Sequence, residues 1–397
     1  MKTLQLKENL YYVGVVDHGL KVFDVIMPTK YGTTYNSYLL KTSEGGVLFE
    51  GSKALFEDEY LDHISSLIAF EDIRYLVVAH TEPDHSGAIE KLLEKNPNIT
   101  ILASVAGLNN LKNIIRKPFS SQAIAPGKEL KIGDYTLSFL SGLFLHWPDV
   151  IFTYIKELKA LVSCDAFGAH YATDDILLSR EKHLSDYEDA FRYYFSAIMA
   201  PFAGFAIQAC DRVSPLDLDL ILTGHGPVID VDPQGAVAKF RALAEVAKTI
   251  NDKNKVSVIY GSCYGYTREM ALYLKQRFEA DGKNVALHEL DALTYAEEKP
   301  KILEDIRTSG EVLFGSPTVI MDALPLFYDI LNSRPCTFFQ GKRGSAFGDY
   351  GWSGEAVMNL TSFMTMKKMI VVEGFRHAFK MDEQGKAELA SYYERIK

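Results

Sequence analysis

Paired cysteines are absent from the 397-residue sequence. Its four cysteines lie singly, at Cys164, Cys210, Cys263 and Cys336, and none belongs to a Cys-x-x-Cys pair. The sequence therefore excludes a rubredoxin-type iron site or an iron–sulfur cluster bound by this chain alone. Scattered free thiols are typical of a reducing compartment, so we expect a cytoplasmic protein.

An excess of positive charge is also missing. The chain has 42 Lys and Arg against 52 Asp and Glu, a net charge of −10, so we expect no nucleic-acid or membrane partner. Residues 1–9 alternate charged and apolar side chains and lack the apolar core of a signal peptide. The uncharged stretch 193–210 is interrupted by Pro201 and Gly204, which predicts a buried helix broken at Pro201 rather than a membrane span.

Four metal-competent side chains stand within six residues after an apolar run. Residues 75–79 form a predicted buried strand, and His80, Glu82, Asp84 and His85 follow it directly. Each of these groups would be costly to bury without a partner, so a metal site is the most economical interpretation. Glu82 and Asp84 add negative charge that favours redox-active iron and bridging of two ions, although the motif alone leaves zinc open.

Three further polar residues each follow a separate strand-like run: His146, Asp165 and His225. Together with the first cluster they offer two ions about three protein ligands each. We predict that Asp165 bridges the two ions, because both oxygens of a carboxylate can bind. His85 is predicted either as a ligand or as a donor to one.

The first half of the chain predicts an α/β sandwich of two sheets with helices outside. The strand predictions are residues 11–16, 20–25, 35–40, 46–50, 73–79, 100–103 and 135–140, with helices at 57–68, 88–94, 105–115 and 228–247. The polar segment 249–255 is interpreted as a linker. Five strands alternating with helices then predict a parallel, doubly wound sheet: strands 256–260, 284–289, 311–315, 343–348 and 368–372, helices 268–280, 301–307, 324–331 and 355–364.

Loops after the first, third and fourth strands of this second half predict a cofactor site. The first loop lacks a Lys before Thr267 and lacks Gly-x-Gly-x-x-Gly, so neither a nucleoside triphosphate nor a dinucleotide is indicated. Small residues at a helix N-terminus instead suit the phosphate of a flat cofactor, and aromatic side chains suit its ring. The predicted cofactor-binding residues are Ser262, Cys263, Tyr264, Gly265, Tyr266, Thr267, Ser316, Pro317, Thr318, Phe347, Gly348, Asp349, Tyr350, Gly351 and Trp352.

The residues from His80 to His85, with His146, Asp165 and His225 in that order, resemble the metallo-β-lactamase fold. In that fold the zinc hydrolases usually carry His-x-His-x-Asp-His, whereas here Glu82 replaces the second His. This replacement and the later Ser-Pro-Thr and Gly-x-x-Gly-Trp-Ser-Gly-Glu runs resemble flavodiiron proteins across nearly the whole chain. The resemblance implies a metallo-β-lactamase-like αββα sandwich over residues 1–250 and a flavodoxin-like FMN domain over residues 251–397.

The resemblance also implies an activity. Flavodiiron proteins reduce O₂ to water, NO to N₂O, or both, at a non-haem diiron centre supplied with electrons by FMN. It further implies a head-to-tail homodimer or a dimer of dimers. A separate rubredoxin or similar reductase is the expected donor, because the chain carries no cysteine-rich segment.

Two other functions remain open at this point. One is a zinc-dependent hydrolase fused to a flavodoxin-like module, which Glu82 disfavours. The other is a non-catalytic electron carrier that has lost its metal, which the complete ligand set disfavours. His170 is predicted either to line a gas pocket or to be a buried structural group.

Overall fold

The computed structural model describes residues 3–397. The chain divides into two compact units, Met1–Ala247 and Lys248–Lys397, each of which is described by itself. The boundary expected from the sequence lies close by, after residue 250.

The first unit contains two sheets. One has seven strands in the order β1-β2-β7-β8-β9-β10-β11, the other has five in the order β12-β13-β14-β15-β16, and two short pairs, β3–β6 and β4–β5, stand apart. The strands are β1 (Leu4–Lys7), β2 (Leu10–Tyr12), β3 (Val15–Asp17), β4 (Val22–Phe23), β5 (Met27–Pro28), β6 (Thr33–Tyr35), β7 (Tyr38–Thr42), β8 (Gly45–Phe49), β9 (Ile73–Val78), β10 (Thr100–Ala103), β11 (Ser120–Ala123), β12 (Glu129–Ile132), β13 (Tyr135–Ser141), β14 (Ile151–Ile155), β15 (Ala160–Cys164) and β16 (Leu220–Thr223).

The helices of this unit cover the outer faces of both sheets. They are α1 (Glu57–Ser65), α2 (Pro83–Ser86), α3 (Ile89–Lys95), α4 (Val105–Ile114), α5 (Leu184–Tyr194), α6 (Ala203–Val213) and α7 (Pro233–Ala247). Apolar side chains from both sheets, such as Phe49 and Phe139, form one core between them. A second core lies under α1, α3 and α4, and a third under α5, α6 and α7. The predicted αββα sandwich is confirmed.

One helical run, Leu184–Val213, is long and apolar enough to cross a membrane by length and composition. Its apolar side chains, including Phe191, Ile198 and Met199, lie in the core beneath the second sheet. Around Pro201 the run changes to a π-helical turn (Phe195–Met199) and a 3₁₀ turn (Ala200–Phe202) because proline cannot supply an N–H to the helix.

The second unit is a parallel sheet in the order β18-β17-β19-β20-β21, with β22 also paired to β20. Helices α8 and α13 pack on one face and α9, α10 and α12 on the other. The elements are β17 (Asp252–Tyr260), α8 (Tyr266–Ala280), β18 (Asn284–Glu289), α9 (Tyr295–Thr308), β19 (Ser309–Gly315), α10 (Pro325–Asn332), α11 (Cys336–Phe339), β20 (Arg343–Tyr350), α12 (Glu355–Met366), β21 (Ile370–Val371), β22 (Phe375–Ala378) and α13 (Glu383–Ile396). The flavodoxin-like sheet is confirmed.

Several local predictions were wrong. The segment interpreted as a linker is partly strand, because β17 begins at Asp252. The predicted strand 20–25 is mostly a turn, since only Val22–Phe23 pairs, and helix α7 begins at Pro233, where proline fixes the first helical position. The strands β11, β12 and β14 and the helix α13 were not predicted at all.

Candidate metal and flavin sites

Four strand ends of the first unit meet at one site. The segment His80–His85 follows β9 and Asp165 follows β15, whereas His225 follows β16 and His146 lies between β13 and β14. Glycine is needed at residue 224, because a Cβ there would lie 2.9 Å from Cε1 of His85. The close approach of these loops therefore depends on both strand order and a missing side chain.

The structure brings all seven predicted ligands together in two groups. In the first group, Oε2 of Glu82 lies 3.1 Å from Nε2 of His80 and 3.0 Å from Nε2 of His146. In the second group, Oδ2 of Asp84 lies 3.1 Å from Nε2 of His225 and 3.6 Å from Nε2 of His85. All of these side chains except His146 are buried.

Asp165 connects the two groups. Its Oδ2 lies 3.3 Å from Nε2 of His146 and 3.7 Å from Nε2 of His80. Its Oδ1 lies 2.9 Å from Nε2 of His85 and 3.4 Å from Nε2 of His225. One carboxylate oxygen thus faces each group, which is the arrangement that a bridging ligand requires.

The surroundings of Asp84 fit a metal ion better than a hydrogen bond. Both buried oxygens of Asp84 lack a hydrogen-bond partner even though Nε2 of His225 is 3.1 Å away, so these atoms converge without an N–H pointing at an oxygen. Ligands about 2.1 Å from one ion lie roughly 3.0–3.4 Å from each other, which matches the spacing of the two groups. An orphaned buried carboxylate flanked by imidazoles is a donor set suited to iron.

The electrostatics of the cluster call for positive charge. Burial lowers the pKa of His80, but hydrogen bonds with Asp149 and Glu82 outweigh this effect and raise the pKa to about 9. Burial likewise lowers the pKa of His146, and the carboxylates of Asp165 and Glu82 raise it to about 10. Protons on imidazoles and metal ions are alternative ways to balance three buried carboxylates.

Two histidine ligands are fixed by partners that the sequence reasoning missed. Nδ1 of His80 lies 3.2 Å from Oδ1 of Asp149, which also accepts the N–H and hydroxyl of Thr81 through Oδ2. Nδ1 of His225 donates to the carbonyl of Thr34 at 2.6 Å. Such partners fix the ring so that the other nitrogen faces the metal. Only the position of Asp149, soon after His146, offered a signal in the sequence.

Aromatic rings surround the metal cluster. Trp147 lies against His80, with ring centroids 5.1 Å apart, and Tyr194 lies 4.8 Å from His170. His170 in turn lies 5.1 Å from His225 and lines a cavity of about 380 Å³ together with Tyr193. Burial, reinforced by the neighbouring His225, lowers the pKa of His170 to about 3, so its ring is neutral. His170 therefore both packs in the cluster and lines a cavity.

In the second unit, three loops at the carboxyl edge of the sheet are tied together. The buried hydroxyl of Thr267 donates to the carboxylate of Asp349. The N–H of Ser316 donates to the carbonyl of Phe347 at 2.9 Å, and the N–H of Thr318 to that of Asp349 at 3.0 Å. The side chain of Phe347 lies in the core. Only its backbone is therefore available to a ligand.

The first of these loops forms an open cradle. Oγ of Ser262 accepts the N–H groups of Gly265 (3.1 Å) and Arg268 (3.3 Å), which fixes the turn before α8. Gly265 has φ +92°, and a Cβ there would meet nothing within 4 Å. The N-terminus of α8 is therefore open to an anion such as a phosphate group.

Exposed apolar side chains form a rim around this edge. Tyr264 is 83% exposed and Trp352 is 71% exposed. Other exposed apolar residues, which the sequence reasoning did not single out, follow the carboxyl ends of β18, β19 and β22. Two of the latter, Ile320 and Met321, have φ of +52° and +60° in a tight turn between Val319 and Asp322. We call Tyr264, Leu293, Ile320, Met321, Trp352 and Phe379 the apolar rim. Uncovered rings beside an anion cradle fit a flat phosphate-bearing cofactor.

Fold and sites together define a metallo-β-lactamase-like unit followed by a flavodoxin-like unit. The family model for ODP family beta-lactamases matches residues 33–226, and the model for flavodoxin matches residues 258–394. The flavo-diiron protein FprA2 of Clostridium acetobutylicum is 33% identical over 96% of both chains. The type A flavoprotein fprA of Rhodobacter capsulatus is 32% identical over 92% of this chain and 84% of its own.

Solved structures agree with these relatives. The rubredoxin oxygen:oxidoreductase from Desulfovibrio gigas has a TM-score of 0.65 at 28% identity, over 100% of this chain and 98% of its own. The flavodiiron protein from Giardia intestinalis has a TM-score of 0.64 at 28% identity, over 100% and 96%. The chain belongs to the flavodiiron protein family. It is thus an oxidoreductase whose cofactors are FMN and a non-haem diiron centre, which disfavours the zinc hydrolase and non-catalytic carrier alternatives.

Proposed function

We propose that this chain reduces O₂ to water, NO to N₂O, or both. The observation that carries the proposal is Asp165, which directs one carboxylate oxygen at each of two ligand groups. In this proposal His80, Glu82 and His146 would hold one iron, Asp84, His85 and His225 would hold the other, and Asp165 would offer one carboxylate oxygen to each. Two irons held there would supply electrons and Lewis acidity to a small gas molecule.

The residues around the cluster keep the site dry and its ligands fixed. Trp147, Phe23 and Tyr194 place aromatic rings against His80, His170 and His225, respectively, and so limit the access of water. Asp149 and the carbonyl of Thr34 hold two imidazoles from behind. His170 stays uncharged beside His225, so it adds no positive charge that would compete with a metal ion.

The loops of the second unit would hold FMN. The open N-terminus of α8, shaped by Ser262 and Gly265, is suited to the phosphate, and the exposed rings of Tyr264 and Trp352 are suited to the isoalloxazine ring. FMN accepts two electrons and passes them on one at a time. Cys263, Tyr266 and Thr267 belong to the same loop and the first turn of α8. The other predicted residues, from Ser316 to Thr318 and Phe347 to Gly351, would shape the wall of this site.

We further propose a head-to-tail homodimer, or a dimer of such dimers. The apolar rim leaves large side chains uncovered, and the hairpin beside Phe23 likewise exposes Val25 and Ile26 close to the metal ligands. Rim-to-hairpin contact between two copies would cover both surfaces and bring flavin near iron. A separate rubredoxin or similar reductase would deliver electrons, and the four free cysteines support a cytoplasmic location.

One experiment tests the activity. The purified chain, with two irons and one FMN per chain, is reduced without oxygen and then given O₂ or NO in parallel. We expect rapid consumption of at least one gas, and the ratio of the two rates assigns the preference. Failure to consume either gas with both cofactors present and reduced would contradict the proposal. Sedimentation of the same sample tests the proposed dimer. A monomer with full turnover would exclude it.

A further inference from the structure

A third polar group lies beside the metal cluster, around the ring of His85. A carboxylate oxygen of Glu50, a ring nitrogen of His85 and Sγ of Cys164 all lie within 4.8 Å of one another, and all three residues are buried. Oε1 of Glu50 accepts the N–H of Ala79 at 2.7 Å, but Oε2 has no partner. A buried carboxylate oxygen without a donor is costly and calls for an explanation.

The geometry shows which neighbour can bond to the outer nitrogen of His85. Nε2 faces Asp165, so Nδ1 points away from the metal cluster. Sγ of Cys164 is 3.8 Å from Nδ1, 3.9 Å from Nε2 and 4.0 Å from Oδ1 of Asp165, so the sulfur contacts the ring midway between its nitrogens and is not in line with the Nδ1–H bond. Oε2 of Glu50 is the remaining acceptor, reached directly after a small rotation or through one water molecule.

Backbone strain converges on the same imidazole. Glu50 has φ +62° and Cys164 has φ +50°, values in the left-handed region that residues other than glycine adopt at a cost. The conformation of Glu50 is held firmly, because its N–H donates to Val77 and its carbonyl accepts the hydroxyls of Ser37 and Tyr60. Strain that the surroundings enforce is typical of functional positions.

We propose that Glu50 and Cys164 are positioning residues for His85. Glu50 accepts the Nδ1 proton and so directs Nε2 at the metal, while Cys164 packs its sulfur on the ring and prevents it from tilting. This inference rests on the proposed role of His85 as a ligand. It adds a carboxylate–histidine–metal arrangement for the second ion, in parallel with Asp149 and His80 for the first.

Cobalt(II) titration of the full-length, metal-free protein tests the proposal, read by the visible absorption of the bound ion. The unchanged protein should bind two ions per chain. Glu50→Gln preserves the acceptor for the N–H of Ala79. It should lower the affinity for one of the two ions by about 10- to 100-fold and shift the absorption of that ion. His85→Ala should weaken the same ion at least as much, and adding Glu50→Gln to it should have no further effect.

Other variants separate the possible outcomes. Asp149→Asn acts through His80 on the other ion, so its effect should add to that of Glu50→Gln. Cys164→Ala should lower the affinity for the second ion several-fold. This variant replaces Glu50→Gln as the test if Glu50→Gln fails to fold. Equal loss from Glu50→Gln with and without His85, or no loss at all, would overturn the proposal. A protein that never binds two ions would instead refute the diiron assignment itself.

Discussion

The metal cluster of the first unit is built from buried side chains that face each other, whereas the flavin loops of the second unit present backbone N–H groups and exposed rings. Seven carboxylates and imidazoles converge in the first case. In the second case the largest contributors, Tyr264 and Trp352, touch mainly solvent. The first site therefore relies on buried side chains fixed by the fold, whereas the second leaves its largest rings open for a cofactor to cover.

This contrast has an energetic consequence. Buried carboxylates without a counter-charge are electrostatically unfavourable, so binding of metal ions should stabilise the cluster strongly. Removal of one ligand should therefore weaken metal binding strongly. The flavin loops are joined to each other by protein hydrogen bonds, of Thr267 and Thr318 with Asp349 and of Ser316 with Phe347. Single changes there should have smaller effects.

The largest expected effect comes from Asp165→Ala. Removing the shared carboxylate should reduce iron below two ions per chain and gas consumption by more than about 1000-fold, or ~4 kcal/mol. FMN should remain, because no flavin loop belongs to the first unit. Iron analysis and flavin absorbance on the same sample measure both. The matched variant Thr267→Val should weaken FMN binding and keep both irons; loss of iron there would break the comparison.

The same contrast explains what could be predicted from the sequence. His80, Glu82, Asp84 and His85 are chemically conspicuous, because four such groups in six residues have few explanations besides a metal. Their partners are not conspicuous. Glu50 reaches the cluster because β8 pairs with β9, and Asp149 because the N–H of Ile151 donates to the carbonyl of Ala79. These long-range contacts have no local pattern in the sequence.

The flavin loops show a different limit. Glycine and small residues indicate where the chain turns, which located the loops. The turn at Ile320 and Met321 breaks the usual preference for Asn and Gly at positive φ, so no local rule predicts it. Phe379 follows β22, a strand that the sequence pattern did not predict. Four of the six residues of the apolar rim were therefore not predictable before the fold was known.

Lys342→Met tests whether the second unit also depends on a buried charge. The ammonium of Lys342 is fully buried and donates to the carbonyls of Ile250, Arg307 and Ser309 and to Oδ1 of Asn251. Methionine fills the space but removes the Nζ donor from all four oxygens, of which the carbonyl of Arg307 still accepts the N–H of Ile250. We therefore expect a loss of about 3–4 kcal/mol in unfolding free energy. Urea unfolding, monitored by the release of flavin, measures this loss of stability.

The control for Lys342 is an exposed lysine on the same unit. Lys275 pairs with Glu279 one helical turn away, both partly in solvent, so Lys275→Met should change unfolding by less than about 0.5 kcal/mol. Iron retention should be the same in both variants. A Lys342 variant as stable as the control would show that the oxygens find water instead.

Glu311→Gln should give a smaller, pH-dependent effect. Burial raises the pKa of Glu311 to about 7, opposed by Arg343 on the neighbouring strand. Between pH 4.5 and 7 the folded protein keeps a proton that the unfolded chain releases, so stability falls as the pH rises through this window. In the variant the free energy of unfolding should no longer fall across this pH window, and it should exceed that of the unchanged protein by about 2 kcal/mol at pH 8. Unfolding curves at pH 5 and pH 8 measure this, and an unchanged slope would exclude the effect.

The smallest expected effect comes from Trp352→Ala and bears on the comparison most directly. Because the ring is exposed, its removal should leave the unfolding free energy unchanged and weaken FMN binding by about tenfold, or ~1.4 kcal/mol. Flavin fluorescence during titration measures the affinity. Leu272→Ala, an exposed apolar residue on α8 away from the apolar rim, should have no effect on FMN. If Trp352→Ala destabilised the metal-free, flavin-free chain instead, its ring would pack within the fold, and the flavin site would be preassembled like the metal cluster.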